Sequence, residues 1–475
     1  MKNTFLKAEE ANRKSVSQDS NRLHYHLMPP VGWLNDPNGL CEIDGVHHIF
    51  YQYCPMDASG NGLKGWGHYS TPDFVHFQEE EVPLFPDSEI DESGAYSGSA
   101  FKDEKTGKIH FFYTGNGKYP GDFDYINEGR KHWVNHFTSD DGFAFSDKEV
   151  LMKNADYPAN LSCHVRDPKI IEKDGRYYMV LGARTRDSHG QVNVFVSDNL
   201  TDWKPASTIT PEEDFGYMWE CPDLFELDDR AFLITCPQGI KQQGIHYENV
   251  YQNGYFEVST DLDQDQKVKD FIELDHGFDF YAPQSYEDEK GRRILIPWMG
   301  IPDADYDNNP TVELGWQHAL GLPRELTLHG NKIYQYPIEE TLKLRETETA
   351  QSVVLEPGVP VSLTSPVCEI QLDVNAKPFN VRIRKDVELS WDGDVFTLDM
   401  GKSGQGRTQR HVLIHNLKSV SIFSDTSSLE IFLNQGEEAF TTRIYDDKQN
   451  LEIESSIEMK ADIYELNAYQ ISWRK

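Results

Sequence analysis

Three short segments place carboxylates among neighbours suited to acid–base and nucleophilic chemistry. They are Trp33-Leu34-Asn35-Asp36-Pro37-Asn38-Gly39, Arg166-Asp167-Pro168 and Trp219-Glu220-Cys221-Pro222-Asp223. Cleavage of a glycosidic bond needs one carboxylate as nucleophile or base and one carboxyl group as acid, flanking the bond. A further negative charge beside a developing oxocarbenium ion lowers the barrier. Three carboxylates brought together would meet all of these needs. A single Asp-Pro or Asp-Pro-Asn-Gly is an ordinary turn sequence; three such segments in the same place of a repeating unit are not. Cys221, beside Glu220, reads as a small packing group rather than a nucleophile. The 17 histidines show no HExxH or comparable ligand spacing, so neither a metal nor any other cofactor is expected.

The elements that must position these carboxylates are strands. Helical periodicity is scarce, and short apolar or alternating runs are separated by Gly, Pro, Asp and Asn throughout. Five segments share one plan, a polar motif followed by strand residues, a charged turn and an apolar strand: Asp36–Tyr53, Ser97–Gly115, Arg166–Gly182, Cys221–Cys236 and Ala282–Gly300. Their second motif residues, Pro37, Gly98, Pro168, Pro222 and Pro283, are spaced by 61, 70, 54 and 61 positions. Such units are long enough for four strands each, so the chain reads as all-β, a five-bladed β-propeller whose first strands converge on an axial site. The repeat ends near Leu322-Pro323-Arg324-Glu325. Strand-like runs without the motif follow, at Cys368–Val374, Asn380–Lys385, Val395–Met400, His411–His415 and Glu430–Leu433, and read as a C-terminal β-sandwich. The expected division is a propeller over 1–340, a linker over 341–352 and a sandwich over 353–475. Glu220 does not fit the repeat, falling one position earlier than Asp36 and Asp167. Strand neighbours face opposite sides, so a bulge or a changed strand path is required there.

The order WLNDPNG, RDP, WECPD resembles glycoside hydrolase family 32, the invertase and fructanase family. Phe50–Tyr53 (FYQY), Trp66–His68 (WGH), Tyr96–Ala100 (YSGSA), Asp279–Gln284 (DFYAPQ), Pro297–Gly300 (PWMG), Leu322–Leu326 (LPREL) and Asp425–Tyr445 fall in the family's order. The resemblance implies Asp36 as nucleophile, Glu220 as acid/base and Asp167 as transition-state stabiliser. It implies Asn35, Gln52, Trp66, Tyr96, Ser97, Arg166, Tyr281 and Trp298 as residues that grip or wall the fructosyl unit, with Trp66 and Trp298 expected to stack on sugar. It also implies a retaining mechanism, with the catalytic carboxyls roughly 5–5.5 Å apart. Asp36 should be ionised and kept from apolar burial. Glu220 should enter the first step protonated, helped by Trp219, Cys221 and the charge of Asp36. The sequence departs from the family's pattern in two places. The loop Asp57–Trp66 holds one tryptophan where two are usual, and Cys54 stands where Asn is common, so contacts on the leaving-group side are expected to differ. A fructosyltransferase or fructan hydrolase would share the same catalytic residues. An arabinan-type hydrolase would lack the C-terminal signature, and a non-catalytic sugar-binding propeller would have lost at least one carboxylate.

The formal charge of -34, from 79 Asp and Glu against 45 Lys and Arg, excludes a nucleic-acid backbone or an anionic membrane as partner through the overall field. The N-terminal segment has no apolar h-region, and the six scattered cysteines fit reduced thiols, so a cytoplasmic enzyme acting on a small sugar is expected. Segments such as Met218–Phe225 and Trp298–Tyr306 resemble the branch of the family that takes phosphorylated sucrose. On so acidic a protein a phosphate needs a local basic cluster. Two candidates are Arg130, Lys131, His132 and His136, and Arg184, Arg186 and His189.

Overall fold

The computed structural model describes residues 1–449 and 451–474. After a helix, α1 (Lys2–Val16), the regular structure is almost entirely strands. Sheet 1 is the meander β1 (Gly32–Ile43), β2 (Val46–Cys54), β3 (Gly65–Thr71) and β4 (His76–Glu79). Sheet 2 holds β5 (Gly94–Asp103), β6 (Lys108–Lys118), β7 (Arg130–Ser139) and β8 (Glu149–Met152). Sheet 3 holds β9 (Leu161–Lys173), β10 (Arg176–Thr185), β11 (Gly190–Ser197) and β12 (Lys204–Pro211), with β16 (Gln266–Val268) on its outer edge. Sheet 4 is β13 (Met218–Leu227), β14 (Arg230–Gln238), β15 (Gly254–Val258) and β17 (Ile272–Glu273). Sheet 5 is β18 (Tyr281–Glu287), β19 (Arg293–Met299) and the hairpin Arg324–His329 with Lys332–Pro337, to which Ala319–Leu320 adds. The five repeated segments are the first hairpin of each sheet.

The first strands neighbour one another in the order β1, β5, β9, β13, β18, and β18 packs against β1. Polar side chains tie each neighbouring pair of first hairpins. The Gly98 amide donates to Asn38 Oδ1 at 3.1 Å, and Ser99 Oγ donates to the Pro168 carbonyl at 2.7 Å. Lys169 Nζ meets Asp223 Oδ1 at 2.9 Å, and Gln284 Nε2 donates to the Cys221 carbonyl at 3.2 Å. The Tyr286 hydroxyl and His47 Nδ1 are 2.8 Å apart. Buried polar strands of this kind are stable only when their groups find partners, and the motif residues supply those partners. Gly98 stands where the other sheets have proline because a Cβ there would lie 1.9 Å from the Phe112 carbonyl oxygen.

All five first strands carry a one-residue bulge at the motif. The register jumps between Leu34 and Pro37, Ala95 and Gly98, Arg166 and Lys169, Glu220 and Asp223, and Tyr281 and Gln284. A bulge sets two residues opposite one and re-aims side chains, so the strand-path change required at Glu220 is a property of the whole repeat. Asp167, Cys221 and Ala282, at equivalent positions, have φ of 63°, 50° and 46°. That is left-handed backbone, costly for residues other than glycine and held here by the surrounding sheets.

Two six-stranded antiparallel sheets follow, sharing one apolar core that includes Ile370, Val381, Leu389, Phe396, Ile422, Ile431 and Phe440. The stretch expected as a linker holds the end of a 3₁₀ turn (Glu339–Leu344) and the start of the strand Gln351–Leu355. The last strand, Gln470–Ser472, leaves these sheets and pairs in parallel with β4.

Buried charges join the two parts. His26 lies between Asp425 and Glu430, with Nδ1 and Nε2 each 2.8 Å from a carboxylate oxygen. Glu430 also meets Arg324 at 2.5 Å, and Arg324 meets Asp275 at 3.1 Å. Two motifs singled out in the sequence, Leu322–Leu326 and Asp425–Tyr445, thus serve this seam. Burial pulls the His26 pKa down, but hydrogen bonds to both carboxylates outweigh it and raise it to about 9. Glu430, disfavoured by burial but held by Arg324 and His26, falls to about 2. The His26 contribution is complete below its ordinary 6.5 and is lost as pH rises through about 9. It amounts to about 3 kcal/mol by linkage. The Glu430 contribution is complete above 4.5 and is lost as pH falls towards 2. Thermal melts should therefore show Tm falling between pH 6.5 and 9, and His26→Gln should lower Tm and flatten that slope. A wild-type Tm independent of pH across that range would contradict a charged His26.

Candidate active site

The bulged motifs open into one cavity of about 500 Å³. Its wall includes Asn35, Asp36, Gln52, Tyr96, Ser97, Arg166, Asp167, Glu220, Tyr281 and Trp298. Each is an expected site residue, and five separate first hairpins deliver them. One expected residue is absent from the wall. Trp66 has no exposed surface and packs against Phe50, Tyr113 and Phe137, while its indole N–H donates to the Tyr96 carbonyl at 3.0 Å. It does not stack on a ligand; it fixes the backbone that carries Tyr96 and Ser97. Trp33 takes an aromatic place on the wall instead, 5.9 Å from Trp298 in an edge contact.

Asp36 accepts from Asn35 Nδ2 at 3.0 Å on one oxygen and from the Ser97 hydroxyl on the other. Gln52 accepts from the same Asn35 amide, fixing its orientation. Cys221 Sγ lies 3.7 Å from Asp36 Oδ2. Asp36 is half-buried, among the donors expected of it. Burial pushes its pKa up, the donors Ser97 and Asn35 pull it down, and the charge of Glu220 pushes it up again. Ser97 and Asn35 are thus the groups that favour the carboxylate a nucleophile must be.

Glu220 is enclosed by donors. Arg166 reaches Oε1 at 2.5 and 3.1 Å, while Gln238 Nε2 and the Tyr281 hydroxyl each reach Oε2 at 2.7 Å. Asp167 accepts the Cys221 amide at 2.9 Å, and its own amide donates to Thr114 Oγ1 at 2.9 Å. Burial raises Asp167 to about 7, against the pull of Arg166, with the charges of Glu220 and Asp36 adding to the rise. Three carboxylates and one guanidinium share the floor, so their protons are coupled. Arg166 is held from behind by His164, whose Nδ1 accepts from Nη1 at 2.7 Å. His164 Nε2 lies 3.2 Å from the Tyr125 carbonyl, which fixes the neutral tautomer with its proton on Nε2. Burial and then Arg166 lower His164 to about 3.

Sequence reasoning missed Trp33, Lys64, His164 and Gln238. Their only sequence signal is proximity to a motif, and Gln238 comes from the far end of the hairpin partner of Glu220. The two basic clusters also divide. Along β7, Arg130 and His132 face the cavity, while Lys131 turns away to Glu92 at 3.1 Å and His136 to Glu149 at 2.9 Å. Neither Arg184, Arg186 nor His189 lines the cavity.

An all-β scaffold that converges three carboxylates on one sugar-sized cavity has the parts a carboxylate-based glycosidase needs. Residues 26–337 match the glycosyl hydrolases family 32 N-terminal domain, and residues 338–470 match the glycosyl hydrolases family 32 C terminal. The chain belongs to glycosyl hydrolase family 32. It is 40% identical over 470 residues to a sucrose-6-phosphate hydrolase of Bacillus subtilis, covering 96% of each chain. The structure resembles that of a Lactobacillus gasseri sucrose-6-phosphate hydrolase, with a TM-score of 0.88 and 26% identity over 98% of this chain and 97% of that one. It also resembles a Bombyx mori GH32 beta-fructofuranosidase, with a TM-score of 0.87 and 29% identity over 99% of both. No described helix is long and apolar enough to cross a membrane.

Proposed function

We propose that this enzyme hydrolyses the β-fructofuranosidic bond of sucrose 6-phosphate, and of sucrose, in the cytoplasm, by a retaining mechanism. The convergence of Asp36, Asp167 and Glu220 on one cavity carries this reading. The names of the similar proteins support the substrate. The scaffold is a five-bladed β-propeller over 1–340, a connection over 341–352 and a β-sandwich over 353–475. The five side-chain ties that join neighbouring first hairpins support that reading.

Asp36, aimed by Asn35 and Ser97, attacks the anomeric carbon of the fructosyl unit. Glu220, protonated, gives its proton to the departing glucosyl oxygen. Asp167 and Arg166 hold fructosyl hydroxyls, and the Asp167 carboxylate offsets the positive charge that develops. Glu220 then takes a proton from water, and that water releases fructose from Asp36. Tyr281 and Gln238 keep the Glu220 carboxyl in one orientation through both steps.

Initial rates on sucrose, sucrose 6-phosphate, kestose and inulin, with proton NMR of the first product, test this reading. We expect the phosphorylated sugar to give the highest kcat/KM and the β anomer of fructose to appear first. Early α-fructose would defeat the retaining mechanism. A higher kcat/KM on inulin would replace the substrate with a fructan.

A further inference from the structure

Four charged groups on the cavity wall have evident partners in catalysis: Asp36, Asp167, Glu220 and Arg166. Two more cations, Lys64 and Arg130, and one more carboxylate, Asp303, also line it; Asp303 accepts from the Tyr251 hydroxyl at 2.8 Å, and no described carboxylate lies within salt-bridge distance of either cation. On a chain with 34 excess negative charges, a cation left without a carboxylate inside a cavity is unusual.

The two differ in what already holds them. Lys64 Nζ donates to the Gly60 carbonyl at 2.7 Å and lies 5.7 Å from the centre of the Trp33 ring. It is on the nucleophile's side, where the charge of Asp36 acts on it. An anion placed there would be pressed against Asp36. Arg130 is on the other side, beside His132 and the His164–Arg166–Glu220 chain. Its Nε donates to the Tyr125 carbonyl at 3.2 Å, and its Nη1 donates to Asn116 Oδ1 at 3.0 Å. Asn116 is buried, and Tyr125 has a φ of 52° in a loop whose Asp124 carboxylate accepts the amides of Ile126 and Asn127. The guanidinium is therefore pinned at one edge, while Nη2 has no described partner. A fork fixed in this way keeps its free N–H groups for a ligand at little cost in side-chain entropy.

The leaving group departs next to the acid that protonates it, so the glucosyl unit must lie on the Glu220 side. Arg130 stands on that side. Its surroundings strengthen rather than neutralise it. Burial and then Arg166 lower both His132 and His164, so both imidazoles are neutral at neutral pH, and Arg130 adds to each shift. Both ring nitrogens of His132 are buried without a described partner.

We propose that Arg130, on the wall formed with His132 and His164, is the subsite for a phosphomonoester on the leaving glucosyl unit. This rests on the phosphorylated-substrate reading above and names the group that enforces it. The contact is a charge-assisted hydrogen bond from a guanidinium to phosphate oxygens. It acts on the intact substrate and on the glucose 6-phosphate released.

The test compares the ratio of kcat/KM for sucrose 6-phosphate to that for sucrose in wild type, Arg130→Gln, Lys64→Gln and Arg186→Gln. Arg186 is an outside control, donating to the Ala159 carbonyl at 3.1 Å. Taking the ratio removes any change in folding or chemistry common to both sugars. Arg130→Gln should lower the ratio about tenfold or more, the scale of one charged contact, and Arg130→Lys should recover part of it. Arg186→Gln should leave the ratio within about twofold, the scale of a screened distant charge. Product inhibition adds a second measurement: glucose 6-phosphate should inhibit wild type more strongly than glucose, and that difference should shrink in Arg130→Gln. A wild-type ratio near one would defeat the phosphorylated-substrate reading, and the subsite with it. A high wild-type ratio that survives Arg130→Gln, or that collapses in Lys64→Gln or Arg186→Gln alone, would defeat the subsite and leave the substrate reading standing.

Discussion

Asp36→Asn should leave the fold intact and reduce kcat on sucrose by at least about four powers of ten, the scale seen when a catalytic group that acts in concert with others is removed. The amide is isosteric with the carboxylate, so packing is unchanged. The substituted side chain can keep its carbonyl oxygen towards the Asn35 amide and turn its NH₂ to Ser97, whose hydroxyl rotates to accept. What the proposed mechanism loses is its nucleophile, and with it the covalent intermediate that splits one hard step into two. Removing that charge also changes the neighbours. The charge of Asp36 is one cause of the raised Asp167 pKa, so Asp167 should titrate below about 7 in the variant. A thermal melt matching wild type, together with this loss of turnover, would locate the effect in chemistry. Near-normal turnover would remove Asp36 from the nucleophile's role.

Glu220→Gln is expected to cost several powers of ten on sucrose but far less on a fructoside whose leaving group departs without a proton. The carbonyl oxygen of the new amide can still accept from Arg166, so the site should keep its shape. Such a fructoside should show a burst followed by slow turnover, because the second step needs the missing base. In the reacting state Glu220 is protonated and carries no charge to act on Asp36, so the Gln variant should keep the acid limb of the first step, set by Asp36, near its wild-type position. An equal loss on both substrates would contradict the acid/base assignment.

Much of the site was legible in the sequence, the three carboxylates because the motifs repeat and the residues around them because those motifs resemble the family's. Five polar motifs at similar spacing, each ahead of an apolar strand, already imply that residues far apart in the chain share an axis. Asn35, Asp36, Gln52, Tyr96, Ser97, Arg166, Asp167, Glu220, Tyr281 and Trp298 all reach the cavity wall. The strands after residue 345 were legible for the same kind of reason: alternation and turn residues are local. The sequence could not place Trp66. A tryptophan beside a motif can face the cavity or the space between two sheets, and only the packing of Phe50, Tyr113 and Phe137 around it decides.

The sequence by itself determined which residue types could do chemistry, their order, and the all-β repeat that carries them, because these follow from periodicity and side-chain identity. Three matters were decided only by tertiary structure. The bulge in every first strand turns adjacent residues, such as Arg166 and Asp167, towards one cavity; it depends on register against the partner strand, which sequence does not encode locally. The electrostatic balance among Asp36, Asp167, Glu220 and Arg166 depends on burial and distances of a few ångströms, to which Coulombic interactions are steeply sensitive. The division of a run of basic residues, with Arg130 facing the cavity and Lys131 turned to Glu92, follows from strand alternation once the direction of β7 is fixed by its neighbours.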